Sequence, residues 1–207
     1  MQHKSEKILA VLNDFAMADD ILQKTFAFAH EHDASVEILY VHETPLFDVP
    51  DFFGTNVAGI LDKDKIKKEI EAKIATLKPS ITPAIFVKID DTPDRVWALA
   101  REDKKTFVIT AYHEKITKKL IQKIKQPLLV LKTSNPRYSK IALVIDAVSN
   151  AHACIQNVQH YFKQGQIELI YDYRYIVDPS MEASIQNVQI IQKAQEEAFE
   201  TLKKNML

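Results

Sequence analysis

Short apolar runs alternate with stretches of helical periodicity along most of the chain, the pattern of strands joined by crossover helices into a parallel sheet. Lys7-Ile8-Leu9-Ala10-Val11-Leu12 predicts a first strand stopped by Asn13-Asp14, and a helix follows over about 17–32, with Leu22, Phe26 and Ala29 on one face. The second strand, Val36–Val41, ends at His42-Glu43, and residues 44–61 read as a long loop carrying Phe47, Phe52 and Phe53. Ile66, Ile70, Ile74 and Leu77 form the stripe of a helix over about 62–78, and Pro79 and Pro83 mark its exit before a third strand, 84–89. Thr92-Pro93-Asp94 has the form of an N-cap, a proline at the first helical position and an early acid, opening a helix with Val96, Trp97, Leu99 and Ala100. The fourth strand is Thr106–Thr110, the next helix turns Ile116, Leu120, Ile121 and Ile124 inward, and the fifth strand is Pro127–Leu131. Five strands with four intervening helices make a three-layer domain over residues 1–132.

After a boundary at 132–139, marked by Ser134-Asn135-Pro136, the pattern starts again. Lys7–Asp14 aligns with Lys140–Ala147, and Val36–Tyr40 aligns with Ile167–Tyr171, in the same order and with a helix after each. This predicts an internal duplication in which residues 140–207 form a truncated βαβα second copy. Two parallel strands leave open edges and little core, so this copy is expected to dock on the first domain or on another chain.

Composition narrows the function classes. At 46% hydrophobic and 27% charged residues the chain can build a core, and its net charge of −1 gives no electrostatic footprint for nucleic acid or acidic membranes. The single cysteine, Cys154, excludes an internal disulfide and reads as small apolar filler beside Ile155, Val158 and Phe162. No apolar run approaches a membrane span, and the opening residues lack the apolar core of a secretory signal, so the expected location is cytoplasmic. Glycine is the telling scarcity: Gly54, Gly59 and Gly165 are the three present, where average usage would supply about 14. Loops that wrap phosphates need glycine for positive φ and close backbone approach.

In this order and spacing, several segments together resemble the universal stress protein family in its tandem form. They are the strand at 7–12 with its Asn-Asp ending, the strand at 36–41 ending in His-Glu, and Asp90-Asp91-Thr92-Pro93. Thr106-Phe107-Val108-Ile109 and the closing Gln126-Pro127-Leu128-Leu129-Val130-Leu131, similar to the family's Cys-Pro-Val-Leu-Val-Val, complete the set. The resemblance implies a doubly wound five-stranded sheet in the order 3-2-1-4-5, of the adenine nucleotide alpha hydrolase-like type, and dimerisation near strand five. In one branch of the family it also implies ATP at the carboxyl ends of strands one and four, an aspartate after strand one meeting the nucleoside and Gly-x2-Gly-x9-Gly-Ser/Thr after strand four holding the phosphates. Carried onto this sequence, the crevice candidates are Asn13, Asp14, Val41, Thr110, His113 and Lys115.

The departures decide the functional expectation. Asn13 stands where the aspartate is expected, with Asp14 adjacent, and Thr110–Gln126 contains no glycine. The second copy has Asp146 but no strand four after it. ATP is therefore not expected as a cofactor, and the expected role is dimerisation or partner binding in stress response without catalysis. The alternative is a nucleotide- or anion-binding regulator in which Lys115, Lys118 or Lys119 replaces the glycine loop; the plainer reading of these lysines is a solvated helix face. His42 and His113 follow strands two and four, and His30 and His32 do not share a helix face, so no metal site is assigned. No nucleophile-elbow motif or cysteine–histidine arrangement is present, and no catalytic residue is assigned. The apolar 44–61 loop is read either as a cover for the crevice or a partner, or as packing on its own domain.

Overall fold

A computed structural model of the chain describes residues 6–13, 15–43, 62–133, 138–145 and 151–171, with three further helical positions at 193, 197 and 200. Asp14, the 44–61 loop, Asp146 and the segment after Tyr171 expected to hold a second helix lie outside the described residues. The chain divides into two compact units, Met1–Pro136 and Arg137–Leu207.

In the first unit, β1 (Lys7–Leu12), β2 (Ser35–His42), β3 (Ala84–Ile89), β4 (Thr106–Ala111) and β5 (Leu128–Leu131) form one parallel sheet in the order β3-β2-β1-β4-β5. The strand–helix alternation predicts the parallel sheet, and its doubly wound order is the one the resemblance implies. The crossover helices are α1 (Ala18–His32, entered through a 3₁₀ turn at Phe15–Met17), α2 (Lys63–Leu77), α3 (Thr92–Ala100) and α4 (Glu114–Lys123). Every residue of β1 and β4 is buried, as central parallel strands covered on both faces must be.

The two faces have separate cores. Leu9 and Val11 of β1, Leu39 and Val41 of β2 and Val108 of β4 pack with Val96 and Ala100 of α3 and with Ile116, Leu120 and Ile124 from α4 and its end. On the opposite face Phe28 of α1 meets Phe107 of β4 with ring centroids 5.4 Å apart, and Phe15 meets Tyr40 edge-on at 5.3 Å.

Local details depart from the periodicity reading in three places. In α1 the buried positions are Ala18, Ile21, Leu22, Thr25, Phe28 and Ala29, while Phe26 is only half-buried, because the sheet meets the helix one step around from the expected stripe. The cap of α3 is Asp91, not Thr92: its carboxylate accepts the Asp94 N–H at 3.1 Å, and Thr92 is already helical and buried. In α4, Ile121 is 65% exposed while Leu120 is fully buried, so the inward stripe is Ile116, Leu120 and Ile124.

A glycine-poor chain also ends its helices differently. Asp33 after α1 and Lys78 after α2 adopt φ of 49° and 47°, the left-handed conformation in which glycine is the usual choice. The Ala34 N–H then reaches back to the Ala29 carbonyl at 3.0 Å, closing the end of α1.

In the second unit β6 (Lys140–Ile145), α5 (Ala151–Tyr161) and β7 (Gln166–Tyr171) form a parallel β–α–β element, and β6 and β7 make a two-stranded sheet. Gly165 lies where the chain turns into β7; a Cβ there would stand 2.9 Å from the Tyr138 carbonyl oxygen and 2.5 Å from Ile141 Cδ1. Tyr138 packs edge-on against Phe162 at 4.8 Å, and burial pushes its phenol up to about 12. Because the folded value lies above the ordinary one near 10, this tyrosine's contribution to stability is intact below pH ~10 and declines as pH rises toward 12. A phenolate absorbance titration should show one late tyrosine that disappears in Tyr138→Phe; a wild-type titration with no such late step would refute the assignment.

Candidate functional site

In an open α/β sheet, ligands sit beyond the carboxyl ends of the strands where the strand order reverses, here between β1 and β4. Asn13 leaves β1 at that point, and its side chain turns onto β4. The Asn13 Nδ2 donates to the Ala111 carbonyl at 3.0 Å, while Oδ1 accepts from the Ala111 N–H at 3.2 Å and from the buried Thr110 hydroxyl at 2.8 Å. The amide thus prolongs the β1–β4 ladder by one rung made from a side chain. Only a group with a donor and an acceptor side by side can do this. An aspartate could accept the same two hydrogens but would set an oxygen against the Ala111 carbonyl.

The chain beyond β4 is equally committed. Only Tyr112 and His113 separate β4 from α4. Their backbone N–H groups donate to the Leu131 carbonyl at 2.8 Å and to the Thr117 hydroxyl at 3.1 Å. Three consecutive backbone donors after the middle of β4, those of Ala111, Tyr112 and His113, therefore all have partners within the protein. A phosphate-wrapping loop would leave such donors pointing outward.

Beside this point lies an open cleft of about 790 Å³, with Glu43, Ile89 and Asp91 on one side and His113, Lys115 and Lys119 on the other. Its charges are largely paired. Lys119 meets Asp91 at 3.1 Å, Lys123 meets Asp94, Lys118 meets Glu114 at 2.8 Å within α4, and Arg95 meets Asp90. The Asp91 N–H donates to the Asp90 carboxylate, and this bond, aided by Arg95, holds Asp90 below the usual carboxylate range. The lysines of α4 thus latch this helix to the start of α3, and Trp97 adds contacts with Arg101, 4.3 Å from the ring centroid, and with Lys123 at 5.8 Å.

Among the crevice candidates, Asn13 and Thr110 are brought into direct contact, and His113 and Lys115 line the adjoining cleft. Val41 is 6% exposed and packs in the core with residues of α3 and α4. Asp14 is outside the described residues. The pairing of Asp91 and Asp94 with α4, and of Asp90 with Arg95 of α3, escaped the sequence reading. The spacing of Asp91 and Asp94 on one helix and of Lys119 and Lys123 on the next, each one turn apart, was the available signal.

No family model matches the sequence, and no curated protein matches it. Solved structures do match. A universal stress protein from Archaeoglobus fulgidus DSM 4304 superimposes with a TM-score of 0.57 at 13% identity, covering 92% of this chain and 73% of that one. A protein of the universal stress protein family from Burkholderia pseudomallei gives 0.49 at 16% identity, covering 63% and 98%. The universal stress protein from Archaeoglobus fulgidus in complex with dAMP gives 0.44 at 16% identity, covering 62% and 98%. The chain is therefore an α/β protein with the universal stress protein fold. At these identities the resemblance expected from the strand endings holds at the level of the fold.

Proposed function

We propose that this chain is a universal-stress-protein-like stress-response protein that acts through dimerisation or partner binding, with a degenerate nucleotide site and no catalysis. The observation that carries the reading is the closure of the switch point: Asn13 and the Ala111, Tyr112 and His113 N–H groups are all bonded within the protein. A triphosphate there would have to break those bonds without a glycine loop to replace them. The anion-binding alternative is less well supported, since Lys118 and Lys119 already hold carboxylates and Glu43, Asp90 and Asp91 share the cleft.

Residues 1–132 then form the complete domain and residues 140–207 a half copy. The 92% coverage of the Archaeoglobus fulgidus DSM 4304 match, more than the first unit alone supplies, supports that division. Dimerisation is supported by β5, an edge strand that pairs among the described residues only with β4 and whose Leu128–Val130 are half-buried. A cytoplasmic location belongs to the same reading; no helix among the described residues is long and apolar enough to cross a membrane.

Mass spectrometry of the purified protein should find no co-bound nucleotide, and calorimetric titration with ATP should give no saturable heat. Micromolar ATP affinity would overturn the nucleotide half of the reading. Light scattering should give a dimer at micromolar concentration; a stable monomer would overturn the dimer half.

A further inference from the structure

The two units repeat more than a strand pattern. Leu9 pairs with Glu37 and Val11 with Leu39 across β1–β2; the aligned residues Ala142 and Val144 pair with Glu168 and Ile170 across β6–β7, in the same register. Lys7, which opens the first set, has its counterpart in Lys140. In the first unit this face is closed by α3. Leu9, Val11 and Leu39 are fully buried against Val96 and Ala100, and the Lys7 ammonium, 3.2 Å from Glu37, donates to the Leu99 carbonyl near the carboxyl end of α3 at 3.2 Å. A cation at that place satisfies the helix's terminal carbonyls and the negative end of its dipole.

In the second unit the same face is open. Val144 is 59% and Ile170 44% exposed, with Lys140, Ala142 and Glu168 exposed beside them, and a groove of about 380 Å³ lies at the start of the two strands around Lys140 and Glu168. The opposite positions, Ile141, Leu143 and Ile145, are half-buried to buried, as the face of a right-handed β6–α5–β7 crossover should be. In the first unit the helix that follows β2, α2, packs beside α1 on the face away from α3, so the repeat offers the Val144 face no counterpart from that helix.

We propose that this face, with Lys140, Ala142 and Val144 on β6 and Glu168 and Ile170 on β7, docks an amphipathic α-helix of a separate polypeptide. That helix lies as α3 lies in the first unit, its carboxyl end over Lys140 and its apolar side on Val144 and Ile170. The inference deepens the partner-binding reading and rests on it. The recognition chemistry is specific: small or β-branched apolar residues at helical spacing, as Val96 and Ala100 are in α3, and free carbonyls at the last turn rather than a capping cation.

The probe is α3 itself, a fluorescein-labelled, hydrocarbon-stapled peptide of residues 91–100 added to the full chain; stapling offsets the marginal helicity of so short a segment. Saturable anisotropy is expected, weakened about tenfold or more by Val144→Asp or Ile170→Asp and about threefold by Lys140→Met, which keeps the stem and removes the charge. Ile121→Asp, on the exposed side of α4, should leave it unchanged. Absence of saturation up to about 1 mM, or binding indifferent to both Val144→Asp and Ile170→Asp, overturns the proposal. Maleimide labelling of Val144→Cys in a Cys154→Ser background gives a second measurement. Rapid labelling that the peptide suppresses supports a free helix-docking face. Protection that grows with protein concentration makes the occupant a second copy, protection at every dilution makes it the chain itself, and either result overturns the proposal. Val144→Asp should alter neither the ATP titration nor the β5-mediated dimer, so failure here is separable from failure of the broader reading.

Discussion

Leu120→Ala should destabilise the first unit by about 2–5 kcal/mol, whereas Ile121→Ala, one residue on, should change stability by no more than about 0.5 kcal/mol. Leu120 has no exposure and sits among Leu9, Val11, Val96 and Ala100, so truncation leaves a cavity walled by two strands and a second helix. Ile121 is 65% exposed and has little to lose. Trp97, the single tryptophan, lies on α3 next to Lys123 of α4, so its fluorescence in a urea titration reports on this unit. Following that signal also avoids assuming that both units unfold in one step. Equal costs at the two positions would contradict the packing of α4.

The second large effect is expected at Asn13. Asn13→Asp should cost about 1–3 kcal/mol at neutral pH, because the Ala111 carbonyl loses its donor and meets a carboxylate oxygen instead. The substitution installs the aspartate that the nucleotide-binding branch of the resembled family carries after strand one, yet it should not create ATP binding. The Tyr112 and His113 N–H groups would still be bonded to Leu131 and Thr117, leaving neither of these donors for phosphates. Melting curves test the first half and calorimetry the second. Stability at the wild-type level would show that the side-chain rung contributes nothing, and acquired micromolar ATP affinity would show that Asn13 alone keeps nucleotide out.

The strands were readable from the sequence because their causes are local or nearly so. Runs such as Phe107-Val108-Ile109 can be central strands, and the resemblance carried by the strand endings supplied the order 3-2-1-4-5, which the structure reproduces. The helices were readable for a similar reason, down to a turn of Ile70 and Ile74 in α2. Which flank of a stripe meets the sheet was not readable, and Phe28 replacing Phe26 and the outward turn of Ile121 are the result. Periodicity gives a helix's apolar side to within about one residue, and only the packed neighbour selects within it.

The candidate site divides along the same line. That Asn13 and Thr110 stand at the ends of neighbouring strands, and that no glycine follows Thr110, belongs to the sequence. That Asn13 spends its amide on Ala111, 98 positions away, that Lys119 and Lys123 answer Asp91 and Asp94, and that Val41 is core, required the fold. The same holds for the second unit, where aligned residues have opposite fates: Val11 is sealed under a helix and Val144 stands open. A side chain's chemistry is written at its own position, but whether that chemistry is spent or free depends on partners that only chain folding brings within 3 Å.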